Sequence, residues 1–499
     1  AIMMMAMSVT AFAAEGATGT CTLTVNAKGG QDLKGQTINL YKLFDVTESK
    51  SGETTNYAYT VNDTYKSTLA SVLNIAETSK DEEFAAAVTK LGSDNSIGVQ
   101  NFANTFTTKA LEGKLAATAT SNKIEESKTA YTFSNLAAGY YLVYVTGGKE
   151  IQSSLVTVDA TNSVNLKTEA PSIEKKADKE TVSIGQVVKY TVTGSIPDTT
   201  GYEQYVYKIH DTLTTGLDFV NDENGTALTD KTVKVEVKFS EADVTDNGEA
   251  PTTAAIDTSN SKKMSLDLSA WVRANQENKG KEFTITYYAK VNKDAVVTEK
   301  NNAQLEYGNN PGDTTITTPS EAKTPTYPLD ILKKKTGTGT GDVALEKLAG
   351  AKFKLYKDSV DEANVIKVSE TAVKGIYVVD PTSATTEFES VENIDGKGYN
   401  LRVNGLAEGT YYLVETQAPE GFNKLTDPIK VTITKTGDAE WTVKKNDTAE
   451  EDKIIDVENS TGSLLPSTGG RGAIAFAVIA ALLVFGVAVS FIRDKRKEA

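Results

Sequence analysis

The stretch FTITYYAKV, residues 283–291, alternates polar with apolar side chains and is rich in β-branched and aromatic residues, the period-two signature of a half-buried strand. The same alternation recurs on either side of it, in TCTLTV (20–25), KYTVTG (189–194), VKVEVKF (233–239) and IKVTITK (429–435). Gly, Asn and Asp clusters separate these runs at the spacing of a sandwich. The expected fold is all-β, a tandem of β-sandwich modules. A repeat supports the modularity: LKGQTINLYK (Leu33 to Lys42) returns as LAGAKFKLYK (Leu348 to Lys357), and LAAGYYLV (ending at Val143) as LAEGTYYLV (ending at Val414). The first and last modules read as homologous. Leu33 and Leu142 are 109 positions apart, whereas Leu348 and Leu413 are 65 apart, so the first module carries extra chain. Its source is the stretch from Lys66 to Lys114, where Leu69, Val72 and Leu73 recur at helical spacing. A capping-box pattern, Ser79-Lys80-Asp81-Glu82, then precedes FAAAVTKL and NFANTF. This predicts a helical insertion in a β module.

The length of 499 residues suggests about three domains. With 39% hydrophobic and 24% charged residues the chain can bury true cores. Lys and Arg number 52 against 67 Asp and Glu, a net charge of −15, the wrong sign for broad contact with a nucleic-acid backbone. One histidine, His210, and one cysteine, Cys21, exclude His/Cys metal clusters, catalytic machinery built from several such residues, and an intramolecular disulfide framework. No cofactor is expected. Oxygen-ligated metal sites and carboxylate-pair hydrolases survive the counting, because acidic residues are plentiful.

The ends give an address. Residues 1–13 are apolar and close on Ala11-Phe12-Ala13, an A-x-A cleavage pattern before Ala14, and read as the remnant of a secretory signal. From Gly472 to Ile492 the chain is apolar or small apart from Ser490, long enough to cross a ~30 Å hydrocarbon core as a helix. Arg493, Lys495, Arg496 and Lys497 follow, which places the large body outside the cell. Just upstream stands LPSTG: Leu465, Pro466, Ser467, Thr468 and Gly469. Motif, apolar span and basic tail together resemble the sorting signal of sortase substrates on Gram-positive cell surfaces. That resemblance implies cleavage between Thr468 and Gly469, transfer of the Thr468 carbonyl to an amine, and a membrane helix that is a temporary tether. Proline-bearing segments near Pro171 and from Pro325 to Pro328 mark linkers. The expected division is 1–13 signal remnant, 14–168 first module, 169–323 second, 324–463 third and 464–499 sorting signal, span and tail.

Six polar residues fall in phase with apolar stripes, where a strand should face inward. In the second module Lys175 shares a face with Ile173, Asp211 with Tyr205, Tyr207 and Ile209, and Asn301 with Ala303, Leu305 and Tyr307. In the third, Lys333 follows Leu329 and Ile331, Glu415 follows Tyr411 and Leu413, and Asn459 follows Ile455 and Val457. Any one of these could be an ordinary strand-end or turn residue. Both Lys–Asn pairs, however, are separated by 126 positions, with the lysine on the expected first strand and the asparagine on the last. These residue types permit condensation of the lysine amine with the asparagine carboxamide, releasing ammonia. Burial would favour the neutral amine and a protonated acid able to polarise the carbonyl.

LVETQAPEGF (Leu413 to Phe422), LAGAKFKLY, IIDVENSTG and LEYGNNP together resemble the isopeptide-forming modules of Gram-positive fimbrial proteins, with the collagen-adhesin B-type, immunoglobulin-like fold. The resemblance implies Glu415 as the acid promoting a Lys333–Asn459 bond and Asp211 as the acid for Lys175–Asn301. Lys176 and Asn302 are the alternative register in the second module, out of phase with their apolar neighbours. Aligning YYLVE with YYLVY puts Tyr144 at the acid position of the first module, so no bond is expected there. Two ammonia losses predict a mass about 34 Da below that of the sequence. Backbone pilins of this family also need an exposed lysine near the end of the first module to accept the next subunit's threonyl carbonyl. In SVNLKTEAP, Val164 and Leu166 share a face and leave Lys167 on the other.

Other motifs read as structure. Residues 257–261 match a D-x-S-x-S adhesion pattern but lie in a polar turn, Thr-Gly repeats at 336–341 form a loop, and Cys21 belongs to a strand. The reading is a major shaft subunit of a sortase-polymerised pilus on the cell wall, a sortase substrate rather than a turnover enzyme. Its expected partners are sortases, identical subunits, peptidoglycan, and possible minor pilins and a host surface ligand. The alternatives are a monomeric wall-anchored adhesin, which would use LPSTG but not Lys167, and a surface glycosidase.

Overall fold

The computed structural model describes residues 19–51, 54–146, 148 and 151–462. The expected signal remnant (1–13), the LPSTG motif (465–469), the apolar span and the basic tail lie outside these residues. Among the described residues no helix is long and apolar enough to cross a membrane. The described residues form two compact units, one of residues 19–182 with 186–325 and the other of residues 183–185 with 326–462.

The first unit holds four sheets. A three-stranded sheet (Ala130–Leu136, Cys21–Asn26, Thr161–Asn165) faces a five-stranded one built on Thr37–Ser51 and Gly139–Val145. Leu23, Val25, Ile38, Leu40, Tyr141 and Val143 fill the space between them. The other face of the larger sheet is covered by three helices, Lys66–Leu73, Asp81–Thr89 and Ile97–Glu112, which realise the expected insertion. Phe84, Phe102 and Phe106 pack there on Phe44, Tyr140 and Leu142. Covered on both sides, the strand GYYLVYV (Gly139–Val145) is buried at every position, so it has no polar alternation. The helix start is one residue later than the sequence suggests: the Lys80 amide donates to Glu83 at 2.8 Å. Lysine has no acceptor with which to return that bond.

Two further sheets make the second sandwich. One has the order Leu217–Val220, Glu282–Val291, Val187–Ser195, Glu174–Ala177, and the other is centred on Val206–Leu213 between Lys263–Asp267 and Thr298–Gly308. Tyr207 meets Phe283 across the gap, with ring centroids 6.0 Å apart. The segment read as a second linker is instead a strand, Ser320–Pro325, paired antiparallel with residues 298–303. It ends on Pro325, where the missing N–H costs the ladder little.

The second unit is one sandwich. Tyr327–Lys335 lies between Leu401–Leu406 and Ile454–Asn459 in one sheet, and Lys352–Lys357 and Gly409–Gln417 pair in the other. Tyr411 donates its phenol to the Ala407 carbonyl at 2.8 Å. Tyr141 does the same to Ala137 at 2.6 Å, which fixes the correspondence between the repeated modules.

Candidate functional site

Each sandwich of the second and third modules buries a lysine, an acid and an asparagine. In the second module the short strand Glu174–Ala177 pairs with Val187–Ser195 and turns Lys175 inward, while the Lys176 side chain is 70% exposed. Of the two lysines, Lys175 is thus the buried one. Lys175 Nζ lies 2.6 Å from Asp211 Oδ2, and both side chains are fully buried. Asp211 comes from the opposite sheet, where it pairs with Ala303, and the adjacent strand carries Asn301 opposite Leu213. Asn301 is wholly buried beside Asp211 and Tyr287, and neither carboxamide atom completes a hydrogen bond. Leaving such groups unpaired costs about 1–3 kcal/mol each.

Burial sets the electrostatics. Desolvation pushes the Lys175 amine down to about 8, against the opposing pull of Asp211. Burial likewise pushes the Asp211 carboxyl up, with Lys175 opposing. Two aromatic rings sequence reading did not single out enclose the amine: its nitrogen sits 4.6 Å from the Tyr190 centroid and 4.5 Å from that of Tyr287. The Tyr287 phenol accepts from Lys175 and donates to Asp211. Alternation does place both tyrosines inward, but it cannot say which lysine they meet.

The third module reaches the same set by another route. Tyr327–Lys335 and Ile454–Asn459 are parallel neighbours, Lys333 pairs with Val457, and Asn459 is therefore two residues further along the same face. Glu415 projects from the facing sheet with its Oε1 3.1 Å from Lys333 Nζ, and both side chains are fully buried. Asn459 Nδ2 donates to Glu415 Oε2 at 2.9 Å and to the Asn423 carbonyl at 2.5 Å, and its Oδ1 has no partner. The Leu425 amide adds a third bond, 2.7 Å to Glu415 Oε2. Desolvation lowers the Lys333 pKa against the pull of Glu415. Asn400, absent from the sequence reading, brackets the lysine backbone: it accepts from the Lys333 amide at 2.7 Å and donates to the Lys333 carbonyl at 3.1 Å.

The two groups therefore differ in geometry. Lys175 and Asn301 sit on opposite sheets, and Asn301 is not on the last strand of its module, which is Ser320–Pro325. Lys333 and Asn459 sit on adjacent strands of one sheet with the acid opposite. A covalent link would tie sheet to sheet in the first case and first strand to last in the second.

In the first module the position equivalent to Glu415 is Val145, not Tyr144. Phe353 pairs with Glu415, and Ile38, its counterpart in the repeat, pairs with Val145. Thr410 is the extra residue that shifted the match, and the matching Tyr411 and Tyr141 phenol bonds place it. Tyr144 faces the helical side and its hydroxyl meets that of Tyr202 at 3.1 Å. A valine still leaves that module without the acid, and none of its described lysines is buried.

Lys167 follows buried Leu166 and is exposed; its amine donates to Gln100 Oε1 at 2.9 Å and Asn95 Oδ1 at 3.2 Å. The D-x-S-x-S segment is a turn in which the Ser259 amide and hydroxyl donate to Asp257 at 2.7 and 2.6 Å. No group of three or more potential metal ligands occurs among the described residues. His210 lies between Ser265 (2.6 Å) and Glu306 (2.6 Å), so a single histidine does suffice to join a hydroxyl to an acid. His210 sits on the central strand Val206–Leu213, whose two ladders run to Lys263–Asp267 and to Thr298–Gly308.

Residues 333–448 match the family of SpaA prealbumin-like fold domains. The chain is 34% identical over 208 residues to the fimbrial subunit type 1 of Actinomyces viscosus, covering 38% of this chain and 36% of that protein. It is 28% identical over 316 residues to the trypsin-resistant surface T6 protein of Streptococcus pyogenes serotype M6, covering 59% of this chain and 52% of that protein. These matches thus span about a third and about half of the relatives' own length. Among solved structures, the T6 backbone pilin of S. pyogenes aligns over 89% of this chain and 98% of its own at 17% identity, TM-score 0.41. The Corynebacterium diphtheriae major pilin SpaA aligns over 88% and 100% at 16% identity, TM-score 0.43. The chain is thus similar to a fimbrial subunit and to a trypsin-resistant surface protein over part of their lengths, and its residues 333–448 match the SpaA prealbumin-like fold domain family.

Proposed function

We propose that this chain is a shaft subunit of a covalently polymerised surface fibre, stiffened by two internal Lys–Asn isopeptide bonds. The observation that carries the reading is the pair of buried lysine–acid–asparagine groups in successive sandwiches, each joining elements far apart in sequence. Lys175 and Lys333 are the nucleophiles, Asn301 and Asn459 the carboxamides, and Asp211 and Glu415 the acids. Each bond forms once, so the chain turns over no substrate in doing so. In the polymer a sortase cuts after Thr468 and passes the threonyl carbonyl to Lys167 of the next subunit, and the last subunit is passed to a peptidoglycan amine. Export, wall attachment and transient tethering by residues 472–492 belong to the same reading.

The test is an immunoblot of wall extracts boiled in SDS. A shaft subunit gives a high-mass ladder that collapses to one wall-linked species on Lys167→Arg, a change that keeps the charge but removes the acceptor amine. A ladder unchanged by that substitution rejects Lys167. A single wall-linked species in the parent chain rejects polymerisation in favour of a monomeric anchored adhesin.

A further inference from the structure

The two lysines are held differently. Lys333 Nζ contacts Glu415 but completes no hydrogen bond, and the aromatic ring near it is Phe353, 5.8 Å away, with no hydroxyl. Lys175 is clasped by an ion pair, two ring faces and a phenol bonded at once to the amine and to its acid. Among the described residues the titratable groups against it are Asp211, Tyr190 and Tyr287, one from each of three neighbouring strands.

We infer that Tyr287 is a catalytic residue of the Lys175–Asn301 condensation, carrying protons from the amine to Asp211 and orienting the amine for attack. This rests on the isopeptide reading above. Lys175 begins as an ammonium and Asp211 as a carboxylate. The phenol takes one proton from Nζ as it gives its own to Asp211 Oδ2, and so ends unchanged. Turning about its C–O bond, the neutral phenol then releases the nitrogen lone pair; a bare ion pair would keep that lone pair aimed at the carboxyl. The amine attacks Cγ of Asn301, forming the Nζ–Cγ bond. Asp211 passes its proton to Nδ2, the Cγ–Nδ2 bond breaks, and ammonia leaves. The second proton lost by Nζ follows the same path and ends on Asp211. In net terms the primary amide of Asn301 becomes a secondary amide to Lys175, one ammonia leaves, and Asp211 ends protonated, with charge conserved. Protons stay inside the site throughout, so the rate is expected to be nearly independent of pH around neutrality.

The test is Tyr287→Phe in the full chain, with bond formation timed after synthesis by peptide mapping at pH 6 to 7.5, below the Lys175 pKa of about 8. The Lys333–Asn459 bond of the same molecule serves as the internal control for folding. The Lys175–Asn301 bond is expected to form at least about tenfold more slowly and to accelerate with pH, while the control bond keeps its parental rate and pH profile. A rate within twofold of the parent, or a slower rate with the parental pH profile, overturns the inference. Absence of the 175–301 link in the parent chain overturns instead the reading on which it rests.

Discussion

Replacing Asn459 with alanine removes the electrophile of the third module and leaves Lys333 paired with Glu415 in its buried site, 3.1 Å apart. Lys333 and Asn459 are 126 positions apart. On the chain-entropy treatment used for disulfides, opening a loop of that length costs about 5 kcal/mol at 25 °C. Unfolding entropy of ~2.1 cal/mol/K per residue gives a sandwich of roughly 130 residues about 0.27 kcal/mol/K, so the melting temperature of this module falls by about 18 °C. In the linked parent Asn459 Nδ2 has already left as ammonia, so its donations to Glu415 and to the Asn423 carbonyl are not among the interactions the variant loses. The companion variant Lys333→Arg keeps the positive charge and the asparagine but cannot form the bond. Differential scanning calorimetry, paired with intact-mass measurement, reads both. The parent is expected about 34 Da below its sequence mass and each variant about 17 Da below its own, with similar drops in melting temperature. If both variants lose one ammonia deficit yet melt within about 3 °C of the parent, loop closure does not stabilise this module. If the parent shows no deficit, Lys333 and Asn459 are unlinked and the site reading falls.

Two more outcomes follow from particular residues. In Asn301→Ala, Lys175 stays a free amine whose folded pKa, about 8, lies below the 10.5 of an ordinary lysine. Between those values the unfolded chain holds the proton and the folded chain does not. Stability relative to the linked parent therefore rises with pH from 8 to 10, by as much as ~1.4 kcal/mol per unit; urea titrations showing a flat or falling difference would contradict the buried-amine assignment. Phe106 is fully buried in the helical insertion, edge-on to Tyr41 and Tyr65 with centroids 6.0 and 5.9 Å away. Phe106→Ala is expected to cost the first module about 3–5 kcal/mol in denaturant unfolding while both ammonia deficits persist, and a loss under 1 kcal/mol would show that the insertion is not part of that core.

Strand alternation, the internal repeat and the phase of six polar residues are local properties, and each was legible in the sequence because a strand's side chains take sides by parity alone. That is why Lys175 rather than Lys176, and Asn301 rather than Asn302, could be chosen before any coordinates. Parity does not say which strands become neighbours. Only the folded chain brings Lys175 to Asp211 across two sheets but Lys333 to Asn459 within one, encloses Lys175 between Tyr190 and Tyr287, and sets Asn400 against the Lys333 backbone. Parity also fails where both faces of a strand are covered: Gly139–Val145 is buried throughout, so its apolar pattern could not distinguish Tyr144 from Val145. Sheet pairing and the matching Tyr141 and Tyr411 phenol bonds decided that position. Facing direction is fixed by bonds along the chain, whereas adjacency is fixed by long-range packing between segments a hundred or more residues apart.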